Sequence, residues 1–356
     1  MKILHTSDIH LGSKITAHLD SKRAAKRRRE LQDGFARLVR AAQSEGARGF
    51  IIAGDLFDED TVSRRLVETT LATIAAAPEI TFFYLPGNHE GLALSECATK
   101  LPENLKIFGE DWTVFNLGGV TVMGKSKITK DTLRTAPRTG GRTIAVLHGE
   151  LRDGSSTDKY IGASDISCTE IDYLALGHYH GYAARSIGNC TAVYSGTPEG
   201  RGFDEAGERG YVMMDVSESG ISHSFIRGDG RMLRIIEADI TGDLTQSEIE
   251  ATVGRALLGT SSDDMVRVVL CGKRDASTVC DTESIERRFD HSYFYFEAKD
   301  KTSLALRAED FSADKSLLGE FVRTVMSDER LTAEARDKIL ECGLHALRGE
   351  ALFGRD

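Results

Sequence analysis

Residues 172–182 read DYLALGHYHGY. An apolar run from Tyr173 to Leu176 stops at Gly177, and two imidazoles follow, His178 and His180, with one tyrosine between them. A short apolar run bounded by glycine fits a strand buried on both faces that ends at a loop. In extended backbone, residues i and i+2 point to the same side, so His178 and His180 can both face one point. Neutral imidazole is a common metal ligand. Two histidines near a strand end are also ordinary loop residues, so the rest of the chain decides.

The same design recurs upstream. Short apolar runs at 2–7, 49–54, 80–87 and 143–148 each end at a polar or glycine-rich loop. Between the first two, 21–46 carries Leu31, Phe35, Leu38, Val39 and Ala42 at helical spacing, with Gly46 as a stop. Between the second and third, 61–77 is a second helical stretch closed by Pro78. This β-α-β-α-β rhythm belongs to a layered α/β domain. WTVFNLGGVTVMG, TAVYSG and GYVMMDV, further on, read as hairpin strands. In open α/β sheets the loops beyond the carboxyl ends of the strands converge on one crevice. Here those loops deliver Asp8 and His10, Asp55, Asn88 and His89, His148, and then His178 and His180. Oxygen and imidazole donors without a thiolate suit manganese, iron or zinc. There are enough donors for two ions, and Asp55 is the central candidate for a bridging carboxylate.

Bulk properties narrow the class. The chain has 356 residues, 40% hydrophobic and 28% charged, which is ordinary for a soluble globular protein. No apolar run approaches the ~18 residues of a membrane span. The N-terminus runs straight into a strand pattern without a signal-peptide core. The six cysteines are scattered without a CxxC, so no zinc ribbon or disulfide framework is expected, and a reducing cytoplasm is. The net charge of −10 weighs against a protein that coats nucleic acid. Two stretches are nonetheless basic: 21–48, with nine Lys/Arg against three acids, and 125–142, with six against one. A solvated helix face and a mobile loop are the plain readings of these two.

Near residue 232 the pattern changes. We expect three regions: 1–231, a small α+β unit at 232–300, and 301–356 as an acidic linker over 300–314 followed by amphipathic helices at 315–326 and 332–347. His5 reads as a packed strand residue. His18, His223, His291 and His345 have no partner in sequence and read as surface or structural.

The ordered set D-x-H, G-D, G-N-H-E, H and G-H-x-H resembles the calcineurin-like metallophosphoesterase superfamily over about residues 1–230. TSDIHLGS, IAGDLFD and PGNHEG are more narrowly similar to the SbcD-type DNA-repair nucleases and their YhaO-like bacterial relatives. The C-terminal stretch LLGEFVRTVMSDERLTAEARDKILECGLHALRGEAL looks like that group too. The resemblance implies a layered α/β fold, a β-sandwich flanked by helices, with a small α+β cap and C-terminal helices. It implies two divalent ions, Mn²⁺ foremost. One would be held by Asp8, His10, Asp55 and His180, the other by Asp55, Asn88, His148 and His178, with His89 beside the scissile phosphate. Glu90 is read either as the residue orienting His89 or as an exposed loop acid. Arg201, in SGTPEGRGF (195–203), is read either as a phosphate contact or as part of a glycine-rich turn. Archaeal and eukaryotic members carry a histidine three residues after the bridging aspartate; Asp58 stands there, as in many bacterial members, and is left out of the site. The implied activity is a DNA nuclease subunit working in DNA repair with an SbcC-like coiled-coil ATPase, with room for a homodimer and no membrane. A phosphoesterase for small nucleotides or phosphoproteins is the alternative. A vestigial structural partner of the ATPase is a third reading, against which the intact donor set argues.

Overall fold

The computed structural model describes residues 1–13, 15, 19–58, 62–87, 100–275, 278–305 and 314–348. They fall into two compact units, Met1–Leu233 and Arg234–Asp356.

The first unit begins β1 (Lys2–Thr6), α1 (Ser21–Ser44), β2 (Gly49–Ala53), α2 (Arg64–Ala75), β3 (Thr81–Leu85) and β4 (Leu105–Ile107). A hairpin follows, β5 (Thr113–Leu117) and β6 (Val120–Gly124), and then β7 (Thr143–His148). A short pair, β8 (Glu150–Arg152) and β9 (Tyr160–Gly162), leads through the single turn α3 (Ala163–Ile166) to β10 (Tyr173–Gly177). The unit closes with β11 (Ala183–Ile187), β12 (Cys190–Tyr194), β13 (Gly210–Ser217) and β14 (Gly220–Arg227). Two six-stranded sheets result, ordered β14-β13-β1-β2-β3-β4 and β11-β12-β10-β7-β6-β5. Both have parallel centres, β1 to β4 in one and β6, β7, β10 and β12 in the other. Antiparallel strands lie to their outside.

Period-two alternation explains why these strands read as unbroken apolar runs. Ile51 and Ala53 of β2 point inward to a core shared with Val122, Ile144, Val146, Ala175 and Val193 of the facing sheet. Phe50 and Ile52 point outward, under Phe35, Leu38, Val39 and Ala42 of α1 and Val67, Leu71 and Ile74 of α2. The outer face of the second sheet is covered differently. Leu147, Leu174 and Leu176 sit beneath Leu133, Ile161, Ile166 and Ile171, which come from loops and short elements. The layers are therefore helix, sheet, sheet and loop.

Most side chains of the basic stretches are solvated as read, but some are paired with acids. Arg27 in α1 is 1% exposed; it donates to Glu199 at 3.1 Å and to the Gly200 carbonyl at 2.8 Å. Arg37 also pairs with Glu199. In the 125–142 stretch, Arg142 meets Asp172 at 2.7 Å, Arg134 meets Asp165 at 3.5 Å and Arg138 meets Glu170 at 4.0 Å. These arginines are thus matched by acids elsewhere in the chain. His5, as expected, is fully buried on β1. Its Nδ1 lies 3.1 Å from the Tyr173 hydroxyl, and burial pushes its pKa down to about 3.

The second unit is entered along β15 (Leu233–Asp239) and continues α4 (Gln246–Ala256), β16 (Met265–Cys271), β17 (Lys273–Arg274), α5 (Thr282–Phe289), β18 (Tyr295–Asp300) and β19 (Ser303–Leu304). The sheet β15-β16-β18 packs Val266, Val268, Leu270 and Phe296 against Ile249, Val253 and Ile285 of α4 and α5. Helix α4 starts at a capping box, Thr245 with Glu248. The expected linker at 300–314 is ordered at its start, because Ser303 and Leu304 pair with Lys273 and Arg274; 306–313 lie outside the described residues. Helices α6 (Leu317–Ser327) and α7 (Ala333–Arg348) bury Val322, Val325 and Leu340 together with Leu318 and Phe321. No helix among the described residues is long and apolar enough to cross a membrane.

Candidate metal centre

The site forms where the two sheets meet at the carboxyl ends of their central strands. The loops leaving β1 and β2 run on side by side. Asp8 N–H donates to the Gly54 carbonyl at 3.0 Å, His10 N–H to Asp55 at 2.9 Å and Leu11 N–H to Leu56 at 2.8 Å. This pairing carries the Asp8, His10 and Asp55 side chains past the strand ends together. The second sheet supplies His148, at the end of β7, and His178 and His180, just after β10.

Backbone geometry marks the same residues. Among the described residues, the non-glycines with positive φ are Asp8 (51°), His10 (48°), Asp55 (51°) and His178 (99°). Each is a residue picked out as a candidate ligand from sequence. The left-handed region is unfavourable for side chains bearing a Cβ, and such strain costs about 1–3 kcal/mol per residue when the surrounding structure enforces it. Close approach of the sheets is the second constraint. A Cβ on Gly177 would lie 1.9 Å from the Ala53 carbonyl oxygen, and one on Gly54 would lie 2.0 Å from His148 Nδ1. Only hydrogen fits at either place.

Hydrogen bonds across the seam set the side chains. The Asp8 carboxylate accepts the His178 backbone N–H at 3.0 and 3.1 Å and the Ser7 hydroxyl; that hydroxyl also lies 2.9 Å from Ser195. His148 Nδ1 donates to the Ala53 carbonyl at 2.9 Å. The carbonyl can only accept, so Nδ1 carries a proton and Nε2 turns inward. That Nε2 is buried, makes no hydrogen bond and lies 3.3 Å from Asp55 Oδ2. The same Asp55 oxygen is 3.7 Å from His10 Nε2. On the other side His180 Nδ1 meets Glu205 at 2.7 Å, and His180 Nε2 faces Asp8 Oδ1 at 3.8 Å.

These contacts sort the imidazoles into two pairs. His10 and His180 have ring centroids 5.3 Å apart, and His148 and His178 are 5.6 Å apart. Two donor groups follow: Asp8, His10 and His180, and Asp8, Asp55 and His148, with ligand atoms within 4.8 Å of one another in each. Asp8 is common to both, while Asp55 Oδ2 lies between an imidazole of each pair. The electrostatics suit a cation. Asp8 and Asp55 are 0% and 2% exposed, and burial raises the pKa of Asp8. For His148, burial works to lower the pKa, but Asp55 and Asp8 prevail and hold it at about 9. These carboxylates thus favour the charged imidazole, and a cation held at this point would take the place of the proton on Nε2. Inward-facing imidazole nitrogens, buried carboxylates and, among the described residues of the cluster, no thiolate fit hard or borderline divalent ions.

Five of the residues read from sequence, Asp8, His10, Asp55, His148 and His180, have ligand atoms within 4.8 Å in these two groups; His178 is exposed and stands beside them, its ring 5.6 Å from that of His148. Asn88, His89 and Glu90 lie outside the described residues. A cleft of about 300 Å³, lined by Pro86, Gly87, Glu110, Ser126, Lys127 and His148, opens beside the cluster. Glu205 and Ser7 were missed. Glu205 carries no local signal, since it follows His180 by 25 residues with the strands β11 and β12 between them. Ser7 precedes Asp8 directly and was legible as a hydroxyl beside a candidate ligand.

Comparison with known proteins agrees with this geometry. The calcineurin-like phosphoesterase family matches residues 1–182. The uncharacterized metallophosphoesterase YhaO of Bacillus subtilis is 26% identical over 259 residues, 68% of this chain and 64% of that protein. The DNA double-strand break repair protein Mre11 of Methanosarcina mazei is 23% identical over 350 residues, 94% of this chain and 54% of that protein. The Mre11 protein of Haloferax volcanii is 24% identical over 297 residues, 80% of this chain and 64% of that protein. The chain thus spans between about half and two thirds of the length of these relatives.

Proposed function

Because the chain belongs to the calcineurin-like phosphoesterase family, a family of hydrolases, we propose that it is a two-metal phosphodiesterase that cleaves DNA. The observation that carries this reading is the pair of imidazole pairs flanking Asp8 and Asp55. Asp8, His10, Asp55 and His180 would hold one cation, and Asp55, Asn88, His148 and His178 the other. Mn²⁺ is the ion we assign, on a donor set of oxygen and imidazole. When bound, two such cations neutralise the phosphate oxygens, activate a water as nucleophile and stabilise the leaving oxygen. The chain's own residues do the positioning. Asp55 Oδ2 stands within 3.7 Å of imidazoles from both pairs, as a shared ligand must. Ser7 and the His178 N–H fix the Asp8 carboxylate, and Ala53 fixes the tautomer of His148. His89, next to Asn88 in sequence, is assigned to the leaving group.

DNA is preferred as substrate because two of the relatives are named for double-strand break repair. One observation favours the alternative, a compact nucleotide or phosphoprotein: Arg27 and Arg37 of the first basic stretch, and Arg134 and Arg142 of the second, are already paired with acids. Incubation with Mn²⁺ and linear single- and double-stranded DNA, beside bis-nitrophenyl phosphate, decides. Shortened DNA is expected. Turnover of the ester with both DNAs left intact would transfer the assignment to the small-substrate reading.

We further propose that α6 and α7 help dock an SbcC-like coiled-coil ATPase. Part of their apolar surface is used on each other, while Leu317 is 73% and Ile339 39% exposed. A chain lacking 315–356 is expected to stay folded and to lose co-purification with such an ATPase. Retained co-purification would remove these helices from the interface, and insolubility would assign them to the packing of their own unit.

A further inference from the structure

We infer that Glu205 is the positioning residue for His180, and that Arg201 serves Glu205 rather than the substrate phosphate. The inference rests on the two-metal reading above. Glu205 is 3% exposed and closes a short 3₁₀ turn, Phe203–Glu205. Its Oε1 takes His180 Nδ1 at 2.7 Å and Arg201 Nη2 and Nε at 2.5 and 3.1 Å. Its Oε2 takes the backbone N–H of Arg201 at 2.7 Å. A carboxylate only accepts, so Nδ1 of His180 is the protonated nitrogen and Nε2 is left with its lone pair toward Asp8. Arg201 Nη2, 3.3 Å from His180 Nδ1, is a second donor to the same oxygen and not a partner of the imidazole. With its Nε and Nη2 on Glu205, and only 17% exposed, Arg201 neutralises the carboxylate that burial would otherwise penalise.

The loop also holds the backbone of His180. Its carbonyl accepts the Thr197 N–H at 3.1 Å and a guanidinium N–H of Arg209. Arg209 in turn donates to the Glu205 carbonyl at 2.9 Å. Ring and main chain of His180 are thus gripped by one segment, 197–209. His148 is fixed by a main-chain carbonyl instead, so no side-chain change can free it in the same way. The two metal positions therefore differ: one answers to Glu205 and the other does not.

Titration of Mn²⁺ into wild type, Glu205→Gln, Glu205→Ala and Arg201→Gln by calorimetry, with electron paramagnetic resonance of the bound ions, tests this. Wild type is expected to bind two ions with the spectrum of a coupled pair. Glu205→Ala keeps one tight ion and weakens the other about 10–100-fold, the usual scale for loss of such a partner; the spectrum becomes that of a single ion. Glu205→Gln still accepts from Nδ1–H and loses less, as does Arg201→Gln. In zinc-loaded wild type, ¹⁵N resonances should show His180 protonated at Nδ1, a result independent of whether any variant folds. Two wild-type affinities in both Glu205 variants, or a proton on Nε2, overturns the inference. Fewer than two ions in wild type overturns the two-metal reading, and the inference with it.

Discussion

Asp55→Ala protein is expected to retain at most one weakly held divalent ion per chain and to cleave no DNA above background. The carboxylate is buried, and one of its oxygens lies 3.3 Å from His148 and 3.7 Å from His10. Its loss removes a ligand from both positions at once. Losing a mere outer partner of a metal site costs about 10–100-fold, so losing a shared ligand should cost well beyond ~10²-fold in turnover. Metal analysis on the purified variant is the check. Two ions in the variant, or a single ion in wild type, would end the assignment of Asp55 as the bridge.

His89→Asn should separate chemistry from metal binding. The other named residues already account for the eight ligand positions, so metal content should stay at two. A sugar alkoxide is a poor leaving group and needs a proton; a nitrophenolate is a good one and hardly does. General acid catalysis is typically worth about 10²–10⁴-fold, so DNA cleavage should fall on that order and nitrophenyl ester cleavage much less. Equal losses on both substrates would make His89 a group that stabilises developing charge. A lost ion would make it a ligand.

What sequence disclosed, and what it did not, follows from how far each interaction reaches. The i, i+2 spacing in DIH and HYH and the apolar runs before the candidate ligands are local, and five of those residues do share two donor groups. Helices α1 and α2 were legible because Phe35, Leu38 and Val39, and then Val67, Leu71 and Ile74, recur at the helical period on one buried face. Arg27 was not legible. It sits in the run KRRRE, which reads as solvated, yet its partner Glu199 is 172 residues away. Glu205 escaped for the same reason, and so did the acids that match the 125–142 stretch. The pairing of strands into two facing sheets was likewise a matter of long-range register. Alternation told which residues are buried but not which neighbour buries them. Ser303 and Leu304, assigned to a linker on acidic composition, became a strand because Lys273 and Arg274 offered an edge.

The division of the site between two sheets sets an order of events during folding. Asp8, His10 and Asp55 come from one sheet; His148, His178 and His180 come from the other, up to 172 residues later. Contacts so distant in sequence form late, after the entropy of closing long loops has been met. Neither sheet owns a complete donor set, and the first sheet itself takes in β13 and β14 from beyond the second, so the donor groups form only once both sheets have packed together. On the proposed reading, a chain with undocked sheets would hold no metal pair, so metal uptake would report that docking step.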